Sequence, residues 1–132
     1  MRAGRAFAFL ASISLASCAT IRDGDSNGLT AFGGNWTVDL RPSLDDPSYS
    51  QPMLLNIDED GSIEGSFYGS AILSGRAGSG QGRQCIAFRT SDNSGAYQHS
   101  GCLEGDVIFG QTWSEGRNFV LPWTATRTIS GD

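Results

Sequence analysis

From about residue 34 onward, apolar and polar residues alternate in short runs that end at turn-forming residues. The run Trp36-Thr37-Val38-Asp39-Leu40 alternates in this way, and so does the last run, residues 118–127. A period of two is typical of strands that bury one face. Long runs at helical spacing are missing after residue 20. The pattern therefore predicts a domain made of strands and turns.

The runs between these two are divided by glycine, asparagine, aspartate and serine. Strands are predicted over residues 53–57, 62–68, 85–90, 96–99 and 106–113, with a short one over 71–73, whereas 75–82 is interpreted as a flexible connection. About eight strands joined by turns favour an all-β fold, an antiparallel up-and-down barrel or a barrel-like sandwich. Pro122 lacks an amide hydrogen, so we expect the last strand to be an edge or bulged there.

Cys85 and Cys102 flank a predicted hairpin. The segment between its strands is rich in turn residues, and folding about Asn93-Ser94 places the two cysteines directly opposite each other. Directly opposed residues lie close enough for a disulfide at the near end of their range. The same register pairs Phe88 with His99. A redox role is the alternative, but the C-x-x-C spacing of such pairs is missing.

The first residues carry two arginines and then a short apolar run, residues 6–14. A basic segment before a short apolar one is typical of an export signal, and the run is too short to span a bilayer. It ends at Leu15-Ala16-Ser17-Cys18, which resembles the lipobox of bacterial lipoproteins. An ordinary secretory signal that contains a cysteine is the alternative.

The lipobox resemblance implies cleavage before Cys18 and attachment of diacylglycerol to its thiol, with a further acyl chain such as palmitate on the new amine. Several acyl chains give stable membrane anchoring, which one chain does not. Ala19 follows the cysteine, and in Gram-negative lipoproteins the absence of aspartate there favours the outer membrane. The predicted organisation is a signal peptide (1–17), a flexible tether (18–33), a β-barrel domain (34–128) and a tail (129–132).

The chain has 132 residues, a formal net charge of −5 and 18 glycines. This length suits one small domain. An acidic chain does not attract phosphate backbones, so we expect no nucleic-acid partner.

Candidate chemistry along the chain is sparse. The single histidine, His99, is expected to face Phe88 or solvent, and a zinc site would need more ligands. Residues 23–28 match the first half of a calcium loop, but its twelfth position is Gly34 rather than glutamate. Clustered carboxylates fall in predicted turns. We therefore expect no metal, no cofactor and no enzymatic activity.

Aromatic residues on the predicted strands offer a different kind of site. Small barrels either fill their interior with side chains or hold one small ligand. The ligand-binding candidates are Trp113, Trp123, Phe67 and Phe88. Ordinary core packing is the alternative fate of these side chains.

Gly34, Trp36 and Arg127 form a G-x-W motif at the first strand and an arginine at the end of the last. This combination resembles the calycins, the group of lipocalins and avidins. In lipocalins the arginine packs over the tryptophan and closes the barrel floor, a cation–π contact. The biotin-binding residues of avidins have no counterpart, because Val38 stands where avidins have an asparagine.

These observations favour a non-enzymatic binding module of the cell envelope, anchored to a membrane by lipid, whose ligand is small and apolar. An inhibitor of a lysozyme or a protease, using loops at one end of the barrel, is the first alternative. A structural envelope protein with a filled core is the second.

Overall fold

A computed structural model describes Gly4 and residues 28–129 of the chain. Most of the described chain is strand, as expected from the short alternating runs. The strands are β1 (Gly34–Asp39), β2 (Ser50–Ile57), β3 (Ile63–Phe67), β4 (Ser70–Ala71), β5 (Ser74–Gly80), β6 (Arg83–Asp92), β7 (Gly95–Glu104), β8 (Val107–Ser114) and β9 (Phe119–Arg127). The all-β prediction is confirmed, with nine strands in place of about eight.

The strands form one curled antiparallel sheet in the order β4-β3-β2-β1-β9-β8-β7-β6-β5. Consecutive strands pair with each other, except that β4 does not pair with β5, and β1 also pairs with β9. The two edges of the curled sheet approach each other. Ser62 forms a bridge with Arg76, and the Ala77 amide donates a 2.7 Å hydrogen bond to the Gly61 carbonyl. The fold is therefore an up-and-down, barrel-like sheet.

The concave face of the sheet holds the core. Residues at alternate positions point inward, as the burial of Trp123 and Ala125 beside outward-facing Thr124 illustrates. The fully or nearly buried apolar side chains come from the 3-10 helix before β1, from every strand except β4 and β7, and from the residue after β1: Phe32, Trp36, Val38, Leu40, Met53, Leu55, Ile63, Phe67, Ala77, Ile86, Phe88, Ile108, Trp123 and Ala125. Burying one face of each strand is what stabilises a sheet of this size.

The hairpin of β6 and β7 has the predicted register. Cys85 pairs with Cys102, Phe88 pairs with His99, and the turn falls at Asn93-Ser94. The two cysteines form a disulfide. They alternate with buried Ile86 and therefore lie on the outer face, where the bond ties β6 to β7 without occupying the interior.

The prediction of a flexible connection over residues 75–82 is wrong, because most of this segment forms β5, paired along its length with β6. Its small side chains hid the strand pattern, and Ala77 is its one buried residue. Close packing explains why a glycine stands at position 75. A Cβ there would lie 2.8 Å from the Phe88 Cβ and 3.0 Å from the Ile63 Cβ, so a larger residue would separate β5 from the core.

Pro122 lies in β9, a strand that pairs with β1 on one side and with β8 on the other. The pairing with β1 ends at Thr124 and Asp39, however, so Pro122 pairs only with Gln111 of β8. The strand is thus an edge at the point where the amide hydrogen is missing, and the local prediction is confirmed.

Residues Thr30–Phe32 form a short 3-10 helix before β1. The Phe32 side chain is fully buried, so the packed part of the chain begins before Gly34, whereas the tether was expected to continue to residue 33. Within residues 28–129, no helix has the length and apolar character needed to cross a membrane. Apart from Gly4, the predicted signal peptide lies outside the described residues, and so does Cys18.

Candidate functional site

A cavity of about 300 Å³ lies at one end of the curled sheet. Its inner wall comes from β6, β7 and β8, and its rim comes from the turns and loops at that end. The lining residues are Leu40, Tyr49, Phe67, Tyr68, Ser70, Thr90, Asp92, Tyr97, His99, Thr112, Arg117, Phe119 and Leu121. We call this end of the barrel the mouth.

His99 forms part of the cavity wall and is 3% exposed. Its Nε2 lies 2.8 Å from the Thr90 hydroxyl oxygen, and its Nδ1 lies 2.7 Å from the Thr112 hydroxyl oxygen. The Thr112 oxygen also accepts a 2.8 Å hydrogen bond from the Trp123 indole. These four side chains form a hydrogen-bonded network, which we call the His99 network.

Aromatic rings pack around His99. The Phe67 centroid lies 4.2 Å from the imidazole centroid, and Phe88 stacks at 4.8 Å with an interplanar angle of 27°. Tyr97 lies parallel at 6.2 Å, toward the mouth. This apolar enclosure removes water from the ring.

Because burial disfavours the charged form, the pKa of His99 falls from 6.5 to about 4. The imidazole is therefore neutral near pH 7, with one nitrogen that donates and one that accepts. Its two hydrogen-bonding partners are threonine hydroxyls rather than a carboxylate, an arrangement that differs from a serine–histidine–aspartate triad.

Strand register explains how these residues meet. Phe88, His99, Thr112 and Leu121 are paired across β6, β7, β8 and β9 and share the inner face. The next inward row toward the mouth is Thr90, Tyr97, Ser114 and Phe119. In the row that contains His99, the two middle residues, His99 and Thr112, are polar and lie side by side, whereas the two outer residues are apolar.

The next inward row, deeper in the barrel, consists of Ile86, Gly101, Gly110 and Trp123. Gly110 pairs directly with Trp123, and a Cβ on Gly110 would come within 2.4 Å of the indole ring. The absence of that Cβ gives the indole room to turn its Nε1 toward Thr112.

Charged groups occur only at the rim of the cavity. Asp92 accepts a 2.7 Å hydrogen bond from the Ser94 amide in the β6–β7 turn. The Arg117 guanidinium lies 5.4 Å from the Phe119 ring centroid. One residue of each sign stands at the entrance, so the rim carries no strong net charge.

The four ligand-binding candidates are placed differently by the structure. Phe67 lines the cavity, and Phe88 and Trp123 are buried behind its wall, each in contact with Phe67. Trp113 does not reach the cavity: it lies on the outer face of β8 and is 47% exposed. The alternation of β8 decides this, because its inward positions are Ile108, Gly110, Thr112 and Ser114.

Sequence reasoning missed Thr90, Thr112 and Tyr97 as site residues. A signal was available for two of them. The hairpin register places Phe88 opposite His99, and moving two positions along each strand leads to Thr90 and Tyr97 on the same face. Thr112 required the register of β8, which the sequence did not fix.

The signature residues lie at the end of the barrel away from the mouth. The Arg127 guanidinium stacks 4.5 Å from the Trp36 ring centroid and donates hydrogen bonds to the Gly33 carbonyl at 2.7 Å and to the Ala31 carbonyl. Trp36 Nε1 donates to the Phe32 carbonyl at 2.8 Å. The arginine–tryptophan contact expected from the calycin resemblance is therefore present.

Among residues 28–129 no group of three or more potential metal ligands comes together. The half calcium motif lies almost wholly outside the described residues. Comparison of the chain with family models, with curated proteins and with solved structures finds no match. The site geometry is therefore the basis for a functional proposal.

Proposed function

We propose that this chain is an envelope lipoprotein whose barrel holds a small, largely apolar ligand at the mouth. The observation that carries the proposal is the interior cavity beside His99. Core side chains pack the interior of the sheet, and a cavity of about 300 Å³ remains among them at the mouth. An unfilled interior favours ligand binding over the structural role and over an inhibitor that acts only through its loops.

Size and lining narrow the ligand. Small-molecule sites span roughly 300–1,000 Å³ and combine apolar walls with a few placed polar groups. This cavity is at the lower limit of that range. Leu40, Phe67 and Leu121 supply apolar wall, while Thr90 and His99 supply polarity. A ligand with one or two rings matches this volume.

The position of the cavity also fits an anchored protein. The 3-10 helix Thr30–Phe32 precedes β1 at the floor, where Arg127 bonds its carbonyl groups. The chain therefore enters the barrel at the end opposite the mouth. A tether from a lipidated Cys18 would leave the mouth facing away from the attachment point.

The three tryptophans provide a direct test, because one lies at each of three places: Trp36 at the floor, Trp113 on the outer face and Trp123 behind the cavity. The full chain in lipid nanodiscs, with ¹⁵N-labelled indoles, is titrated with ethylbenzene and compared with empty nanodiscs. We expect a saturable shift of the Trp123 signal alone. Trp123 reports the cavity because it contacts Phe67 and bonds Thr112.

A cavity-filling variant, Ser70→Phe, is the matched control, because Ser70 lies on the cavity wall in the short strand β4. We expect this variant to lose the Trp123 shift while the Trp36 signal stays in place, which shows an intact fold. A shift confined to Trp113, or no saturable shift at any indole, would overturn the proposal.

The anchor is tested separately with Cys18→Ser in a Gram-negative host. We expect the variant to remain unprocessed by the lipoprotein signal peptidase and to lose lipid labelling by radioactive palmitate. Unchanged processing and labelling would contradict attachment at Cys18 and leave the cavity proposal standing.

A further inference from the structure

The His99 network holds more hydrogen-bond donors than it uses. A neutral His99 has one N–H, and the Trp123 indole, the Thr112 hydroxyl and the Thr90 hydroxyl each have one hydrogen. These four hydrogens serve three internal bonds: indole to Thr112, Thr112 to the imidazole, and the imidazole to Thr90. One hydroxyl hydrogen is therefore left over, whichever imidazole nitrogen is protonated.

The protonated nitrogen decides which hydroxyl that is. The Trp123 indole is only a donor, so the Thr112 oxygen accepts from it. If Thr112 then donates to Nδ1 of His99, all bonds run in one direction and polarise one another. His99 carries its hydrogen on Nε2 in this arrangement and donates to Thr90. The free hydrogen is that of the Thr90 hydroxyl.

Thr90 lines the cavity, in the row nearer the mouth than His99. Its side chain is 2% exposed, so its free hydrogen has little access to bulk water. A buried donor without a partner is costly, which makes an acceptor on the ligand the natural partner. Among residues 28–129, the only side-chain partner recorded for Thr90 is His99.

The geometry points to a ligand that carries a neutral hydrogen-bond acceptor, such as a carbonyl oxygen, placed against the Thr90 hydroxyl. This inference rests on the proposed ligand-binding function. The apolar body of the ligand would lie among Phe67, Tyr97 and Leu121. A neutral acceptor is favoured over a carboxylate because His99 is uncharged and because Asp92 stands at the rim together with Arg117.

Three probes of similar shape separate these possibilities. Ethylbenzene has no acceptor, acetophenone has a neutral carbonyl, and benzoate has a carboxylate. Each is titrated into the full chain in nanodiscs, with the Trp123 indole signal as the readout. We expect acetophenone to bind about three- to tenfold more tightly than ethylbenzene, after correction for partitioning into empty nanodiscs, since one hydrogen bond distinguishes them. Benzoate should bind more weakly than acetophenone.

Thr90→Val removes the hydroxyl and keeps the side-chain shape, so the valine methyl still separates the ligand from His99. We expect this variant to lose the preference for acetophenone over ethylbenzene, because the hydroxyl that donates to the carbonyl oxygen is removed. Thr90→Ser, the matched control, retains a hydroxyl and should retain the preference. The ¹⁵N shifts of the imidazole should show the hydrogen on Nε2.

The outcomes distinguish this inference from the proposal beneath it. Ethylbenzene binding without a preference for acetophenone, or a preference that survives Thr90→Val, would overturn the acceptor inference and leave the cavity function intact. So would tighter binding of benzoate or a hydrogen on Nδ1. Failure of all three probes to shift Trp123 would overturn the cavity function itself.

Discussion

The Thr112 hydroxyl connects Trp123 to His99 within the His99 network. Its removal tests whether this network stabilises the interior of the barrel. Thr112→Val keeps the shape of the side chain and deletes the oxygen that joins the Trp123 indole to the His99 imidazole. Thr112 is 5% exposed, Trp123 is 4% exposed and His99 is 3% exposed. The variant therefore leaves two buried polar groups without their partner.

Each buried polar group that loses its partner costs about 1–3 kcal/mol. Two such groups give about 2–6 kcal/mol. Local relaxation around the new side chain offsets part of this cost, and we expect the lower part of that range, about 2–4 kcal/mol. A domain has about 5–15 kcal/mol of total stability, so this loss is large enough to measure easily.

Equilibrium urea unfolding with the disulfide intact measures the effect as a lower midpoint at unchanged slope. Thr112→Ser is the matched control: it keeps the hydroxyl and loses one methyl, a loss of about 1 kcal/mol. If Thr112→Val unfolds at the same urea concentration as Thr112→Ser, or at a higher one, the hydroxyl does not hold the network and the reasoning fails.

Three further predictions concern the stability of the same barrel. Replacing both Cys85 and Cys102 by serine should lower the free energy of unfolding by about 3 kcal/mol, because the crosslink restricts the unfolded chain; an unchanged urea midpoint, or two free thiols in the intact mass of the parent chain, would contradict this. Burial lowers the pKa of His99 to about 4 when folded, against 6.5 when unfolded, so the unfolded chain binds more protons between these values. Stability should therefore fall as pH drops from about 6.5 toward 4, by up to about 3 kcal/mol more than in His99→Phe; equal pH slopes for the two chains would refute the assignment. Gly110→Ala should cost about 1–3 kcal/mol, because its Cβ would lie 2.4 Å from the facing indole ring. Gly78→Ala, where a Cβ meets nothing within 4 Å, is the control, and equal urea midpoints for the two variants would rule out the clash.

Local patterning predicted much of the fold. The hairpin of β6 and β7 was predicted with its register, because the turn residues at Asn93-Ser94 fix the pairing of every residue along both strands. The disulfide followed from that register. The strand β5 was missed because glycine and serine carry no hydrophobic period, although it pairs with β6 in a local hairpin that turns at Gln81-Gly82.

The candidate site was predicted less well. His99 was correctly placed against Phe88, but its enclosure by Phe67 depends on β3, which is distant in sequence and meets β7 only across the interior. Trp113 and Trp123 both looked suitable for a cavity. Only the register of β8 and β9 shows that one points outward and the other inward, because a shift of one residue reverses every side chain.

The sequence by itself determined the class of structure: short alternating runs bury one face each, and turn residues set the hairpins. The export signal and the lipobox resemblance are predictions that rest on local residues alone. The tertiary structure decided where the interior is filled and where it is open. It also decided that His99 has two threonine partners and a lowered pKa. Those properties depend on contacts among several strands and on the exclusion of water between them, which no single stretch of sequence specifies.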